Sequence, residues 1–251
     1  MDYEDALRRE VLDEATDLLR SLSLHLEEAR HGRMDSDALK AEARKAAFHL
    51  RSQSNAVQLS RLATLTHRFE DYLSDSGMPS EERFYEDLQV FVDLLLDLCE
   101  GRIDEDVETS RLVRRLPPKR GMRPEEVEVR DVEVLLVMAP GAQAHFVERE
   151  LQQCGYRTSV IAHPFDALPL IVRGKPDLVI VSGVLPDLDG IDLAVGLTAM
   201  PETRNIPLAL ITSLDDDNPH MQLLPARVPV IHKGSRFGDD LFQALDNLFL
   251  I

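Results

Sequence analysis

The chain has 251 residues, 44% of them hydrophobic, no Trp and only 5% aromatics, so it can bury one or two cores that are mostly aliphatic. Its formal net charge of −17 argues against general nucleic-acid binding, which needs clustered Lys and Arg. No apolar run approaches the roughly 20 residues of a membrane span, and the acidic start MDYEDALRRE does not read as a signal peptide. Two isolated cysteines, Cys99 and Cys154, suit a reducing compartment. The expectation is a cytoplasmic protein whose cysteines sit in cores rather than in a disulfide.

Residues 1–100 carry helical periodicity throughout. Leu7, Val11, Ala15, Leu18, Leu19 and Leu22 recur at three- and four-residue spacing, and the first helix stops at His31-Gly32. Asp35 or Ser36 caps a second helix over about 37–55. A third runs over about 57–76 with Leu59, Leu62, Leu65, Phe69 and Leu73 on one stripe. Pro79-Ser80-Glu81-Glu82 opens a fourth through FYEDLQVFVDLLLDLCE. Four antiparallel helices with short connections predict a bundle of four, or up to five, helices.

Residues 101–131 change character. From Arg111 to Arg123 there are six basic residues and no acid, and Pro117, Pro118 and Gly121 interrupt structure. The stretch reads as an interdomain linker, with a short helix near 106–116. It serves as a solvated spacer or as a docking strip for an acidic surface.

From 132 to 251 strands and helices alternate. VEVLLVM, RTSVIA, DLVIVS, PLALITS and VPVIHK are short apolar strands, separated by amphipathic segments such as AHFVERELQQCG. Alternation predicts an α/β doubly wound parallel sheet of five strands. The weak point is LDDDNPHMQLLPARV, where Pro219 and Pro225 bracket the expected helix and should leave it short or distorted.

On a helical wheel, residues 37–55 gather Leu39, Ala43, Ala46, Ala47 and Leu50 on one side. Phe48 lies nearly opposite, toward solvent, and His49 off one flank. A single exposed apolar residue is ordinary. It is also what an interface anchor looks like.

Residues 1–100 resemble a histidine phosphotransfer domain, especially the N-terminal one of chemotaxis histidine kinases. That family carries Ala-His-Ser-Leu/Ile-Lys-Gly on its second helix and Thr-His-x-x-Glu on its third. Here the segments are Ala47-Phe48-His49-Leu50-Arg51-Ser52 and Thr66-His67-Arg68-Phe69-Glu70. Aligned without a gap, Phe48 takes the phosphoryl-accepting position and His49 falls one place late, about 100° around the helix. The resemblance then implies a degenerate domain. Phenylalanine offers no nucleophilic nitrogen, Arg51 stands for the lysine and still holds an anion, Ser52 replaces a glycine, and His67 and Glu70 sit near Phe48 with nothing to activate.

Residues 132–251 resemble a response-regulator receiver domain, most closely in PDLVIVSGVLPDLDG at 176–190. The resemblance places Ser182 at the acceptor aspartate, and Met138 and Ala139 at the two carboxylates that help bind magnesium. Neither offers the oxygen ligands such an ion takes. Thr212 and Lys233 occupy family positions, while Val230 replaces the aromatic switch residue. Asp215, Asp216 and Asp217 read as a solvated acidic turn, and Asp187 and Asp189 do not replace the missing ligands. A Ser182–His232–acid triad is rejected, because His232 and Lys233 point to opposite faces of one strand.

The resulting expectation is a non-catalytic two-component adaptor with no metal or cofactor. It binds a histidine kinase, a receiver or another phosphotransfer protein, and its own domains dock on each other or pair as a homodimer. Two alternatives stand beside it: an active phosphotransfer protein using His49, and a receiver-like sensor of a small ligand.

Overall fold

The computed structural model describes residues 3–74, 80–119, 130–215, 217–234 and 236–248. The chain divides into two compact units, Met1–Pro124 and Glu125–Ile251.

The first unit is a helical bundle of α1 (Tyr3–Arg30), α2 (Ser36–Ala56), α3 (Ser60–Tyr72) and α4 (Glu81–Cys99), followed by the short α5 (Thr109–Arg115). α1 buries Val11, Ala15, Leu19, Leu22, Leu26 and Ala29, the three–four spacing that keeps one stripe inward. Gly32, in the left-handed region at φ +68°, lets the chain turn after α1. Asp35 then caps α2, its carboxylate accepting from the backbone N–H groups of Asp37 and Ala38 at 3.0 and 3.3 Å. The inward face of α2 is Leu39, Ala43, Ala46, Ala47 and Leu50, as its periodicity requires. α3 is shorter than its stripe predicts. Gln58 takes φ +58° and Leu59 is non-helical at φ −75°, ψ 74°, so the chain breaks before Ser60. The expected C-terminal end of that helix, beyond Ser74, and Pro79 lie outside the described residues.

Phe69, Tyr72 and Phe91 stack in the bundle core with centroids 4.9–5.0 Å apart. The Tyr72 hydroxyl donates to the buried Asp87 carboxylate at 2.9 Å, and Arg83 reaches the same carboxylate at 3.1 Å. The segment read as linker is described up to Lys119, and that part packs on the bundle. Leu112, Val113 and Leu116 join the core, and the buried Lys119 ammonium lies 3.6 Å from Asp71 on α3.

The second unit contains β1 (Glu133–Val137), α6 (Ala142–Gln153), β2 (Arg157–Ile161), α7 (Pro164–Gly174), β3 (Leu178–Ser182), α8 (Gly190–Ala199), β4 (Leu208–Thr212), β5 (Val230–His232) and α9 (Phe237–Asn247). All strand pairs are parallel, in the order β2-β1-β3-β4-β5. Every residue of β1, β3 and β4 is buried, because helices cover both faces. Val134, Leu136, Leu178, Ile180, Ala209 and Ile211 face α6 and α9. The alternate residues Leu135, Val137, Val179, Val181 and Leu210 face α7 and α8. Between β4 and β5 the helix shrinks to a 3-10 turn, Met221–Leu223, where Pro219 and Pro225 leave no room for a longer one.

The cysteines depart from expectation. Cys99 is partly covered at the end of α4, but Cys154 is exposed, since it leaves α6 at the Gly155 turn rather than facing the sheet.

Candidate functional site

Two places gather the residues singled out by sequence. The first is the outer face of α2. Phe48 is 61% exposed, so its ring stands in solvent on the side away from Leu50 and Ala47. Arg44 and Arg51, four before and three after it, flank the ring on one helical face. Both reach across to α3: Arg44 Nε donates to the Leu73 carbonyl at 3.0 Å, and Arg51 Nε meets Glu70 Oε2 at 2.5 Å. Phe48 therefore marks the α2 edge along which α3 is tied. Ser52 and His49 are exposed beside it, and Lys45 is drawn to Glu42 at 2.7 Å.

These contacts define the surroundings of two of the residues. Arg51 is held by Glu70, so its charge is already answered within the protein. His67 is buried in α3 and does not present an open imidazole beside the ring. Burial pushes the Glu70 carboxyl above its ordinary range, the Arg51 guanidinium opposes that shift, and Asp71 adds to it. Arg44 was not singled out from sequence. Its signal was positional, four residues before Phe48 on the same face.

The second place is the ring of strand ends in the receiver-like unit. Met138 follows β1 and is buried in the layer under α6 and α9; its N–H donates to the Ile161 carbonyl at 3.0 Å. Ala139 is exposed. Ser182 closes β3 and is buried. Next to it, a Cβ on Gly183 would stand 3.0 Å from the Thr212 hydroxyl, so the β3 and β4 ends touch here. The Thr212 hydroxyl accepts from the Leu214 N–H at 3.1 Å, and the Thr212 carbonyl accepts from the Lys233 N–H at 2.9 Å. Sheet order thus brings the ends of β3, β4 and β5 next to one another, carrying Ser182, Thr212 and the following Lys233, with Met138 and Ala139 after the end of β1 beyond. The chemistry on offer is two hydroxyls and an amine. Met138 and Ala139 add no oxygen ligand for a hard cation.

The surrounding acids are otherwise engaged or exposed. Asp189 caps α8 through the Ile191 N–H at 2.7 Å, and Asp187, at φ +66°, lies 3.6 Å from the exposed His163. Asp215 and Asp217 are exposed, and Asp216 lies outside the described residues. His232 is occupied by Asp240 of α9, which accepts its backbone N–H at 3.1 Å and lies 3.4 Å from its ring nitrogen. Among the described residues, no group of three or more His, Cys, Asp or Glu is placed to hold a metal ion. No helix among them is long and apolar enough to cross a membrane.

No family model matches the chain. The response regulator PleD of Caulobacter vibrioides is 30% identical over 89 residues, 36% of this chain. The chain spans about a fifth of the length of these curated relatives, 20% in each. Among solved structures, the receiver domain of the sensor histidine kinase PA1611 from Pseudomonas aeruginosa, with magnesium coordinated in its active-site cleft, is 21% identical. It matches 47% of this chain and 98% of its own length at a TM-score of 0.41. The chemotaxis response regulator CheY4 of Vibrio cholerae is 19% identical over 47% of this chain and 98% of its own, also at 0.41. The parallel 2-1-3-4-5 sheet makes the C-terminal unit a receiver-like α/β domain, and the N-terminal unit is a helical bundle.

Proposed function

We propose that this protein is a cytoplasmic two-component adaptor that docks phosphorelay partners without accepting phosphate. The observation that carries the reading is Phe48: a 61% exposed aromatic ring stands where the resemblance to phosphotransfer domains expects a histidine, with Arg44 and Arg51 beside it. An exposed ring bordered by arginines is the composition of an interface hot spot. It also has no atom that can form an N–P bond. The residues at the strand ends support the same reading independently. Ser182, Met138 and Ala139 supply neither an acceptor carboxylate nor metal ligands, and phosphoryl transfer depends on such charge neutralisation. The partners are the histidine kinase, receiver or phosphotransfer proteins of a two-component pathway.

The second reading rests on His49, whose side chain is exposed on α2 and therefore open to a phosphodonor. One experiment separates the two. The native chain, Phe48→His and His49→Ala are incubated with a phosphorylated chemotaxis-type kinase and receiver, and acid-labile phosphate is counted on each. Label on Phe48→His alone supports the adaptor. Label on the native chain that disappears in His49→Ala makes the protein an active relay component and ends the adaptor reading.

A further inference from the structure

α7 carries an apolar stripe on its outer side. Its inner side is spent in the usual way: Pro164, Ala167 and Ile171 are buried against the sheet. The outward positions of an 11-residue helix on a protein of net charge −17 should be polar. Instead Phe165 is 59% exposed, Val172 is 38% exposed, Pro169 is exposed and Leu168 is half-covered. The spacing is i, i+3, i+4, i+7, so the four side chains form one continuous strip about 10 Å long.

Two charges border the strip, Asp166 near its start and Arg173 near its end. Both are exposed, and neither makes a side-chain ion pair with another described residue. Seven residues apart, they lie within about 20° of each other around the helix, on the same flank of the stripe.

We propose that this face binds a second copy of the chain, with the two α7 helices antiparallel about a two-fold axis. The geometry of that axis makes the case. An axis perpendicular to both helices reverses the direction along the helix but keeps each flank on its own side of the interface. With the axis midway between Leu168 and Pro169, Phe165 comes level with Val172 of the other copy, Leu168 and Pro169 each meet their own counterpart, and Asp166 lies within about two residue rises, about 3 Å, of the level of Arg173 on the same flank. The same flank thus carries two symmetry-related Asp–Arg pairs. A parallel arrangement would carry the charged flank to opposite sides of the interface, so that no Asp166–Arg173 pair forms. The stripe is self-complementary in one orientation only, which is what an isologous contact requires. The contact is smaller than the roughly 1,200 Å² of stable complexes, so association is weak and concentration-dependent. It stands apart from the docking role of α2 and survives or fails independently of it.

Sedimentation equilibrium of the full chain from about 10 µM to about 1 mM tests this. The native chain is expected to self-associate to a dimer. Asp166→Arg and Arg173→Asp, each of which opposes like charges, weaken the association about tenfold. The double variant restores it to within about threefold, because the pairs re-form with reversed sign. Phe165→Ser, a change at a side chain already in solvent, abolishes it without altering the far-ultraviolet circular dichroism. A native chain that stays monomeric at about 1 mM overturns the proposal. So does a dimer indifferent to Phe165→Ser or to the single reversals. A folded double variant that fails to recover also overturns it.

Discussion

Gly190 opens α8 beneath the end of β3, and an added methyl there sets two effects against each other. Alanine is preferred to glycine in a helix by about 1 kcal/mol. Against that, a Cβ on Gly190 would lie 2.0 Å from the Ser182 carbonyl oxygen, 2.8 Å from its carbon and 2.9 Å from Gly183 Cα. Ordinary contact begins near 3.4 Å, so backbone must part from backbone by about 1.4 Å. The segment cannot yield cheaply. The Gly183 N–H is held by the Ile211 carbonyl at 2.7 Å and the Gly190 N–H by the Gly183 carbonyl at 3.1 Å. Overpacking of this kind costs about 3 kcal/mol or more, so Gly190→Ala loses about 2 kcal/mol net. For a unit of this size that is a fall in Tm of about 8 °C. Gly196, in the same helix, has nothing within 4 Å of an added Cβ and a helical backbone. Gly196→Ala therefore gains about 0.5–1 kcal/mol. Calorimetry of the full chain should show one transition moved down by the first change and up by the second. A Gly190→Ala protein as stable as the native chain would refute the reasoning, because propensity would then outweigh the close approach.

The Glu70 carboxyl, raised by burial, binds its proton more readily in the fold than in the unfolded chain. Its contribution to stability therefore falls as pH rises from its ordinary value of 4.5 through the raised folded value. Between about pH 4 and pH 7 the native chain should lose more stability, by urea titration, than Glu70→Gln; equal slopes would count against a buried Glu70. Burial pushes the Cys99 thiol up to about 12; partial burial also raises Cys154, against the pull of Arg130, but that thiol is exposed to a reagent. At about pH 8 a thiol reagent should modify one cysteine per native chain and two after denaturation. Peptide mapping that finds the native label on Cys99 would contradict the packing of α4.

Much of the architecture was legible because it follows from local periodicity. The inward faces of α1 and α2 are the residues their three–four spacing selects. The five strands appear as apolar runs because helices cover both sides of a parallel sheet. The solvent position of Phe48 needed nothing beyond the 100° step of the helix. The two prolines that forbid a helix between β4 and β5 act on their own backbone. Each of these is a property of neighbours in sequence, so the chain alone determined it.

What remained depended on which distant groups meet. Arg51 was available to an anion until Glu70, nineteen residues on, came within 2.5 Å. Lys119 read as part of a basic spacer, yet it is buried beside Asp71, forty-eight residues earlier. Cys154 read as core and is exposed, because α6 ends before its next inward position. At Gly190, only the arrival of the β3 carbonyl makes the missing side chain a requirement. The α7 stripe is the same case seen from outside. Its apolar residues fit a helix buried on all sides, and tertiary packing covered one side and left the other open. Periodicity says which residues share a face; only the assembled chain decides what each face meets.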